Sequence, residues 1–549
     1  MIANCRNTLK AVYDLLPSGE LKRGKIVLLL TVVRSFLEFI SIASVISVIY
    51  FITIHGYTEY FTLVVLLCTA AVILKICSVH YIERYCAGWY LSLYKYYSGI
   101  VFRTYYEAGL LFIRQKGYTN LTYETNSICY TFAMTVISSI CRSVGHFFLI
   151  LIFIVGFAIY SPVTALLFSL MIALFTFIYI RGIGNQASCV GEKENRAKRE
   201  QWKIVQDCFR GYLEVETNQS FPFFKERFNK NMEKICSCQN KMREMRETSA
   251  YLIEITMLGV LILVLCMSGS REQQILLLGV ISIGVIKIIP SVKTIITIWN
   301  TIQNHSFITG IISDALRLHA AVRVLVIPAD IRFGESVVLK NISYSYDNHT
   351  NVLNDINIKI NKGEFIGIQG ESGIGKSTLL NVLLGYIKPD KGEIWIDDTM
   401  LTPVHMQGWR GQIGYVPQDT FILDATIAEN IALGQSTEHI NPAKINSVLK
   451  AVQMSEWVDK LPAGIHTVIG ENGCLISNGQ KQRIGIARAL YKEAEFLILD
   501  EATSALDDET EKEVLSVIYN LPAKGYKVTL VIVSHNSNTL YKCNRIIRI

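Results

Sequence analysis

The run Gly370-Glu371-Ser372-Gly373-Ile374-Gly375-Lys376-Ser377-Thr378 limits what this chain can fold into more than any other segment. It fits G-x-x-x-x-G-K-[ST] and directly follows the apolar run Phe365-Ile-Gly-Ile-Gln369, which predicts a strand, a glycine turn and a helix in succession. Glycines let the backbone wrap a polyphosphate, with successive N–H groups and a helix N-terminus aimed at anionic oxygens. Lys376 adds a point charge for the β- and γ-phosphates, and the Ser377 hydroxyl is placed to ligate Mg²⁺. A site for ATP and Mg²⁺ is the expectation.

Four motifs follow in order: Tyr415-Val-Pro-Gln418, Ile476-Ser477-Asn478-Gly479-Gln480, Phe496-Leu-Ile-Leu-Asp500-Glu501 running on to Asp507, and Val531-Ile-Val-Ser-His535. An apolar strand ending in two carboxylates suits phosphoryl chemistry. Asp500 would hold the metal, and Glu501 would polarise the attacking water. His535 ends another apolar strand, which predicts its imidazole at the carboxyl edge of the sheet. A strand-terminal Asp alone is often a helix cap and a lone His is usually structural, but five motifs in register are not.

Together these motifs resemble the ABC ATPase domain, over 331–549. The resemblance implies an α/β P-loop fold with a helical subdomain. It further implies that Tyr346 stacks on adenine and that Gln418 touches Mg²⁺ and senses the membrane domain. Ser477 and Gly479, with Gln480 in the same signature, would clasp the γ-phosphate bound on the opposite subunit, and Asp507 would lie at the dimer seam. The signature departs from the usual Leu-Ser-Gly-Gly-Gln at Asn478. Because Asn tolerates left-handed backbone, Asn478 is expected to keep the turn. The C-terminal stretch to Ile549 reads as a strand, without the hairpin partner and final helix usual in the family.

Apolar residues make up 51% of the chain and charged residues 18%, and the apolar ones are concentrated before residue 320. Segments near 26–53, 60–80, 136–160, 162–182, 249–268 and 274–298 are each long enough to cross a bilayer as a helix. The expected architecture is therefore an all-α transmembrane domain of six helices over 1–319, a linker over 320–330 and the ATPase domain over 331–549. Lys22, Arg23 and Lys25 precede the first span, and 84–116 and 181–246 are rich in Lys and Arg, while the intervening loops carry almost none. This asymmetry puts both termini and the ATPase domain in the cytoplasm of a multi-pass protein of the bacterial inner membrane. It also accounts for the net charge of +7 without a nucleic-acid partner. No cleavable signal peptide is expected, since the first apolar run starts late behind a polar, Pro-containing lead-in that reads as an interfacial helix. The thirteen cysteines lack framework spacing and read as reduced thiols.

The helical cytoplasmic stretches resemble those of type IV ABC exporters, which implies short coupling helices near 117–124 and 209–217. No peptidase domain precedes the first span, which argues against the peptidase-containing peptide exporters. One membrane domain and one ATPase domain make half a transporter. The resemblance implies a homodimer, because Glu501 is retained and each phosphate loop needs the other subunit's signature.

Polar groups within the spans carry the substrate question. Arg34 and Glu38 lie four residues apart, Arg142 and His146 repeat that spacing, and Lys287 and Lys293 flank Pro290. They read either as snorkelling and an intrahelical pair, or as a cationic cavity for an anionic substrate. The segment Ile-Ile-Pro-Ser-Val-Lys-Thr-Ile-Ile resembles the sixth span of bacterial lipid-linked oligosaccharide flippases, implying an anionic lipid-linked saccharide as substrate. Export of peptides such as bacteriocins, export of lipids or drugs, and an ATP-gated channel or regulator remain alternatives.

Overall fold

The computed structural model describes residues 12–55, 61–160, 184–267, 271–322, 329–346, 351–371, 373–470, 473–502 and 508–549, with isolated positions between 162 and 170. Chain contacts divide it into two compact units, Met1–Arg323 and Val324–Ile549.

The first unit is helical. Its elements are α1 (Ser18–His55), α2 (Phe61–Glu107), α3 (Gly109–Lys116), α4 (Tyr118–Tyr123), α5 (Ser138–Tyr160), α6 (Gly184–Arg210), α7 (Tyr212–Thr217), α8 (Phe221–Met267), α9 (Arg271–Asn304) and α10 (Ser306–Val322). Between α4 and α5 the chain stays helical but widens into π-helical turns at Glu124–Ile128 and Phe132–Ile137. At about 1.5 Å per residue the 47 residues of α2 reach about 70 Å, more than twice the bilayer's apolar thickness. Its two halves are built differently. Leu63, Leu66, Leu67, Ile73, Leu74 and Ile76 leave its first half apolar and exposed, as suits a helix facing lipid. Its second half buries Ile82, Cys86, Trp89, Leu93, Tyr97, Val101 and Tyr105 in one stripe of three- and four-residue steps.

Small residues let the helices approach closely. A Cβ on Gly145 would lie 3.3 Å from the Thr31 carbonyl, and the Ser35 hydroxyl donates to the Gly145 carbonyl at 2.6 Å, which ties α1 to α5. The lead-in is helical over 12–15 and breaks at Pro17. It is held to α2 by the Tyr97 hydroxyl on the Leu15 carbonyl (2.9 Å), and the Trp89 indole on Glu20 (3.1 Å) fixes the start of α1 beside it.

Among the described residues three helices are long and apolar enough to cross a membrane: Ser18–Ser44, Phe61–Glu107 and Tyr118–Gly156. They overlap the first three expected spans, near 26–53, 60–80 and 136–160. Most of 162–182 lies outside the described residues, and 249–268 and 274–298 fall largely on α8 and α9. Short helices α4 and α7 occupy the positions expected for coupling helices, each entered from a glycine, Gly117 and Gly211.

The second unit has two sheets. Strands β1 (Ser336–Ser345), β2 (Asn351–Asn361), β4 (Lys391–Ile396) and β5 (Thr399–Met400) form an antiparallel sheet in the order β2-β1-β4-β5. Strands β3 (Phe365–Gln369), β6 (Ile413–Val416), β7 (Phe496–Asp500), β8 (Thr529–Ser534) and β9 (Arg545–Arg548) form a parallel sheet in the order β6-β7-β8-β3-β9. The apolar runs seen in the sequence are its central strands, buried along nearly their whole length, as parallel strands covered on both faces must be. Trp409 is fully buried, with its indole donating to the Leu383 carbonyl at 2.8 Å and its ring against Phe333 and Phe496. Helices at Ile427–Ile431, Pro442–Ala451 and Ser455–Asp459 make a helical subdomain that packs on α12 (Asn478–Tyr491). α11 (Lys376–Leu383) follows the glycine loop.

Candidate nucleotide site and membrane cavity

Strands β7, β8 and β3 are neighbours and parallel, so their carboxyl ends open on one edge. That edge brings together Asp500-Glu501, His535 and the glycine loop, although up to 165 residues separate them in the chain. Gly375 has φ +111°, and a Cβ there would lie 2.8 Å from the Val352 carbonyl oxygen; Gly373 has φ +87°. Both positions need glycine. Ser372 lies outside the described residues.

The Lys376 side chain is buried. Its ammonium donates to the carbonyls of Gly370 (2.7 Å) and Glu371 (3.1 Å) and lies 3.2 Å from a Glu501 carboxylate oxygen. The same oxygen is 3.9 Å from His535 Nδ1, on an exposed imidazole. Glu501 has φ +46°, left-handed backbone on a non-glycine residue, held by its N–H donating to the Val533 carbonyl at 3.0 Å. Strained backbone over-determined by its surroundings is how a fold aims one side chain. Asp500 accepts from the Tyr415 hydroxyl at 3.0 Å. Burial pushes the Asp500 carboxyl above the usual carboxylate range, with Glu501 adding to the rise and the Tyr415 bond and Lys376 opposing it.

These groups fit Mg-ATP. The loop leaves room that side chains would fill, one buried ammonium faces it, and a hydroxyl at Ser377 and a carboxylate at Asp500 are hard oxygen donors. Tyr346 is half exposed, and its hydroxyl meets the Thr378 hydroxyl at 3.2 Å, which sets the ring beside the loop. Gln418 lies just beyond β6, on the same sheet edge.

The signature residues form a cluster of their own. Ser477 caps α12, accepting from the Gln480 N–H at 3.2 Å while its own N–H donates to Gln480 Oε1 at 2.9 Å. No hydrogen bond or ion pair among the described residues joins Ser477 or Gln480 to the Lys376 cluster. Gly479 is required by packing, since a Cβ there would lie 2.5 Å from Thr510 Cγ2. The reason given for Asn478 is corrected: it is the first residue of α12 and not among the residues of positive φ, so no left-handed turn is needed there. Asp507 lies outside the described residues.

In the first unit, Arg34, Glu38, Arg142 and His146 line one cavity of about 460 Å³ together with Thr31, Ser35, Glu83 and Thr294. Arg34 pairs with Glu38 at 3.2 Å and with Glu83 at 3.0 Å. Two arginines therefore face two glutamates, and the expected cationic cavity is balanced in formal charge. Lys293 does not line it; it pairs with Glu254. The Lys287 side chain lies outside the described residues.

Residues 353–504 match the profile of the ABC transporter family. That segment is an ABC-type ATPase domain. It is 44% identical over 211 residues to the uncharacterized ABC transporter ATP-binding protein YwjA of Bacillus subtilis, covering 38% of this chain and 35% of the relative. It is 30% identical over 355 residues to the ATP-dependent lipid A-core flippase of Burkholderia pseudomallei, covering 63% of this chain and 58% of the flippase. The matched segments thus span from about a third to just over half of these curated relatives. The structure of a bacterial Atm1-family ABC exporter with ATP bound superposes with a TM-score of 0.79 over 97% of this chain and 94% of that one, at 20% identity. At that identity the likeness shows the fold, which is that of an ABC exporter with membrane and ATPase domains in one polypeptide.

Three further residues of this chain bear on these sites without a local sequence signal. Tyr415 stands two positions ahead of Pro417 in the run quoted for Gln418, and only the pairing of β6 with β7 puts its hydroxyl on Asp500. Gln482, four residues past Asn478, is buried and donates to the Gln418 carbonyl at 2.7 Å, tying α12 to the segment after β6. Glu83 lies in a stretch read only for its basic residues, and nothing local marks it as the partner of Arg34.

Proposed function

We propose that this chain is an ATP-driven exporter of the flippase type that works as a homodimer in the bacterial inner membrane, with both termini and the ATPase domain cytoplasmic. The observation that carries the reading is the Lys376–Glu501–His535 cluster at one sheet edge, in a chain whose first unit has membrane-length helices.

In this reading a triphosphate draws the Lys376 ammonium away from the Gly370 and Glu371 carbonyls and from Glu501. The freed Glu501 carboxylate accepts the proton of the attacking water, and His535 steadies the γ-phosphate beside it. Ser377, Gln418 and Asp500 would hold Mg²⁺, which supplies neutralisation of phosphate charge when bound. Tyr346 offers its exposed face to the adenine. Ser477, Gly479 and Gln480 complete the site of the second subunit, and Asp507 lies at the seam. Closure and reopening of the pair switch the access of the membrane cavity.

The substrate class we infer is an amphiphile with an anionic headgroup, such as a lipid-linked saccharide. The names of the flippase relatives support this, and in the cavity an anionic headgroup would have to displace Glu38 and Glu83 to reach Arg34. The test is phosphate release by the purified chain in lipid nanodiscs, with and without a polyprenyl-pyrophosphate oligosaccharide or a lipid A glycolipid, and with Glu501→Gln as the blank. Dose-dependent stimulation by either supports the reading. Basal hydrolysis unmoved by both removes the anionic-lipid substrate, and no hydrolysis above the blank removes the ATPase.

A further inference from the structure

The first unit holds a buried carboxylate that nothing above uses. Glu124 is 4% exposed and opens the π-helical turn that follows α4. Its Oε2 accepts from the Tyr105 hydroxyl at 2.5 Å and lies 2.6 Å from the Lys116 ammonium. Lys116 also donates to the Tyr105 hydroxyl at 3.0 Å and sits over its ring at 4.3 Å. The other carboxylate oxygen lies 3.8 Å from the Arg199 guanidinium. One carboxylate thus joins the end of α2, the end of α3, the exit of α4 and the middle of α6.

The turn itself is fitted to this junction. The Ser98 hydroxyl donates to the Thr125 carbonyl at 2.7 Å, so α2 satisfies an oxygen within the widened turn. On the α6 side, the Tyr123 hydroxyl donates to Asn195 at 2.9 Å, and Thr119 hydrogen-bonds to Gln206. A buried ion with two cations and a phenol is costly to break from one side, because the remaining charges stay buried. Such a joint passes displacement between elements and does not absorb it.

We propose that Glu124 is a positioning residue whose buried carboxylate locks α4 to α2 and α6, so that a displacement of α4 moves the long helices with it. The proposal rests on the ATP-driven reading above.

The experiment is hydrogen–deuterium exchange on the full chain in nanodiscs, in a Glu501→Gln background, with and without Mg-ATP. Peptides covering 98–107 and 118–131 are followed. With Glu124 intact, ATP is expected to change exchange in both peptides together. Glu124→Gln keeps the acceptor for Tyr105 and removes the charge. It is expected to leave the response at 118–131 and cut the response at 98–107 at least about fivefold, with nucleotide affinity unchanged. Lys116→Met, which strips the same pair from its less buried partner, should reproduce this; it guards against misfolding caused by the Glu124 change alone. Equal responses in both peptides for both variants would overturn the proposal. No ATP response in either peptide with Glu124 intact would overturn the ATP-driven reading itself, and the proposal with it.

Discussion

The ammonium of Lys376 lies 3.2 Å from a carboxylate oxygen of Glu501. The group expected on the phosphates and the group expected on the water therefore neutralise each other across the loop. In the proposed mechanism, nucleotide binding exchanges this pair for a phosphate–lysine contact and releases Glu501 as the base.

The pair makes the two single variants behave differently. Lys376→Ala removes charge-assisted contacts to phosphate and should weaken ATP binding by roughly 10- to 100-fold. Titration with a fluorescent ATP analogue measures this, and unchanged affinity would refute the role given to Lys376.

Glu501→Gln should bind ATP at least as tightly as the parent, because the competing carboxylate is gone. Hydrolysis should drop by about 10²- to 10⁴-fold. Single-turnover phosphate release decides it, and near-normal turnover would assign the base elsewhere.

Burial holds the Asp500 carboxyl above the ordinary range, and the Tyr415 hydroxyl favours its ionised form. Metal ligation needs the ionised form, so Mg²⁺-dependent hydrolysis should fall as pH drops through the raised Asp500 pKa. Tyr415→Phe removes one stabiliser of the anion and should shift that acid limb to higher pH. The check is the pH profile of hydrolysis at subsaturating Mg²⁺; superimposable limbs would show that Tyr415 does not tune Asp500.

Gly479→Ala would place a methyl 2.5 Å from Thr510 Cγ2 and should cost about 1–3 kcal/mol of stability. Thermal unfolding in detergent measures it. Pairing the change with Thr510→Ser, which deletes that methyl, should recover most of the loss.

In the cavity, Glu83→Gln frees part of the Arg34 charge and should lower the half-stimulating concentration of an anionic lipid by roughly fivefold, while Arg142→Ala should raise it. Stimulated phosphate release against lipid concentration reads both, and a matching response in both variants would remove the cavity from substrate binding.

The spacing of apolar and glycine residues made much of this legible in advance. Gly373 and Gly375 announce a backbone that side chains forbid, and Phe496–Leu499 and Val531–Val533 announce strands covered on both faces. Those signals are local, carried by a few consecutive residues. Asn478 was misread for the same reason: a helix N-terminus and a left-handed turn draw on similar residues, and only the Ser477–Gln480 cap tells them apart.

Sequence alone determined that a phosphate-binding α/β unit follows a membrane-length helical one, because both rest on periodicity and on residues with unusual backbone freedom. Tertiary structure alone decided which side chains meet. The parallel order β6-β7-β8-β3 delivers Tyr415 to Asp500 and Lys376 to Glu501, and the packing of α1 on α2 delivers Glu83 to Arg34. Hydrogen bonds and ion pairs act over about 3–4 Å, and residues far apart along a chain come that close only once the strands and helices between them have packed.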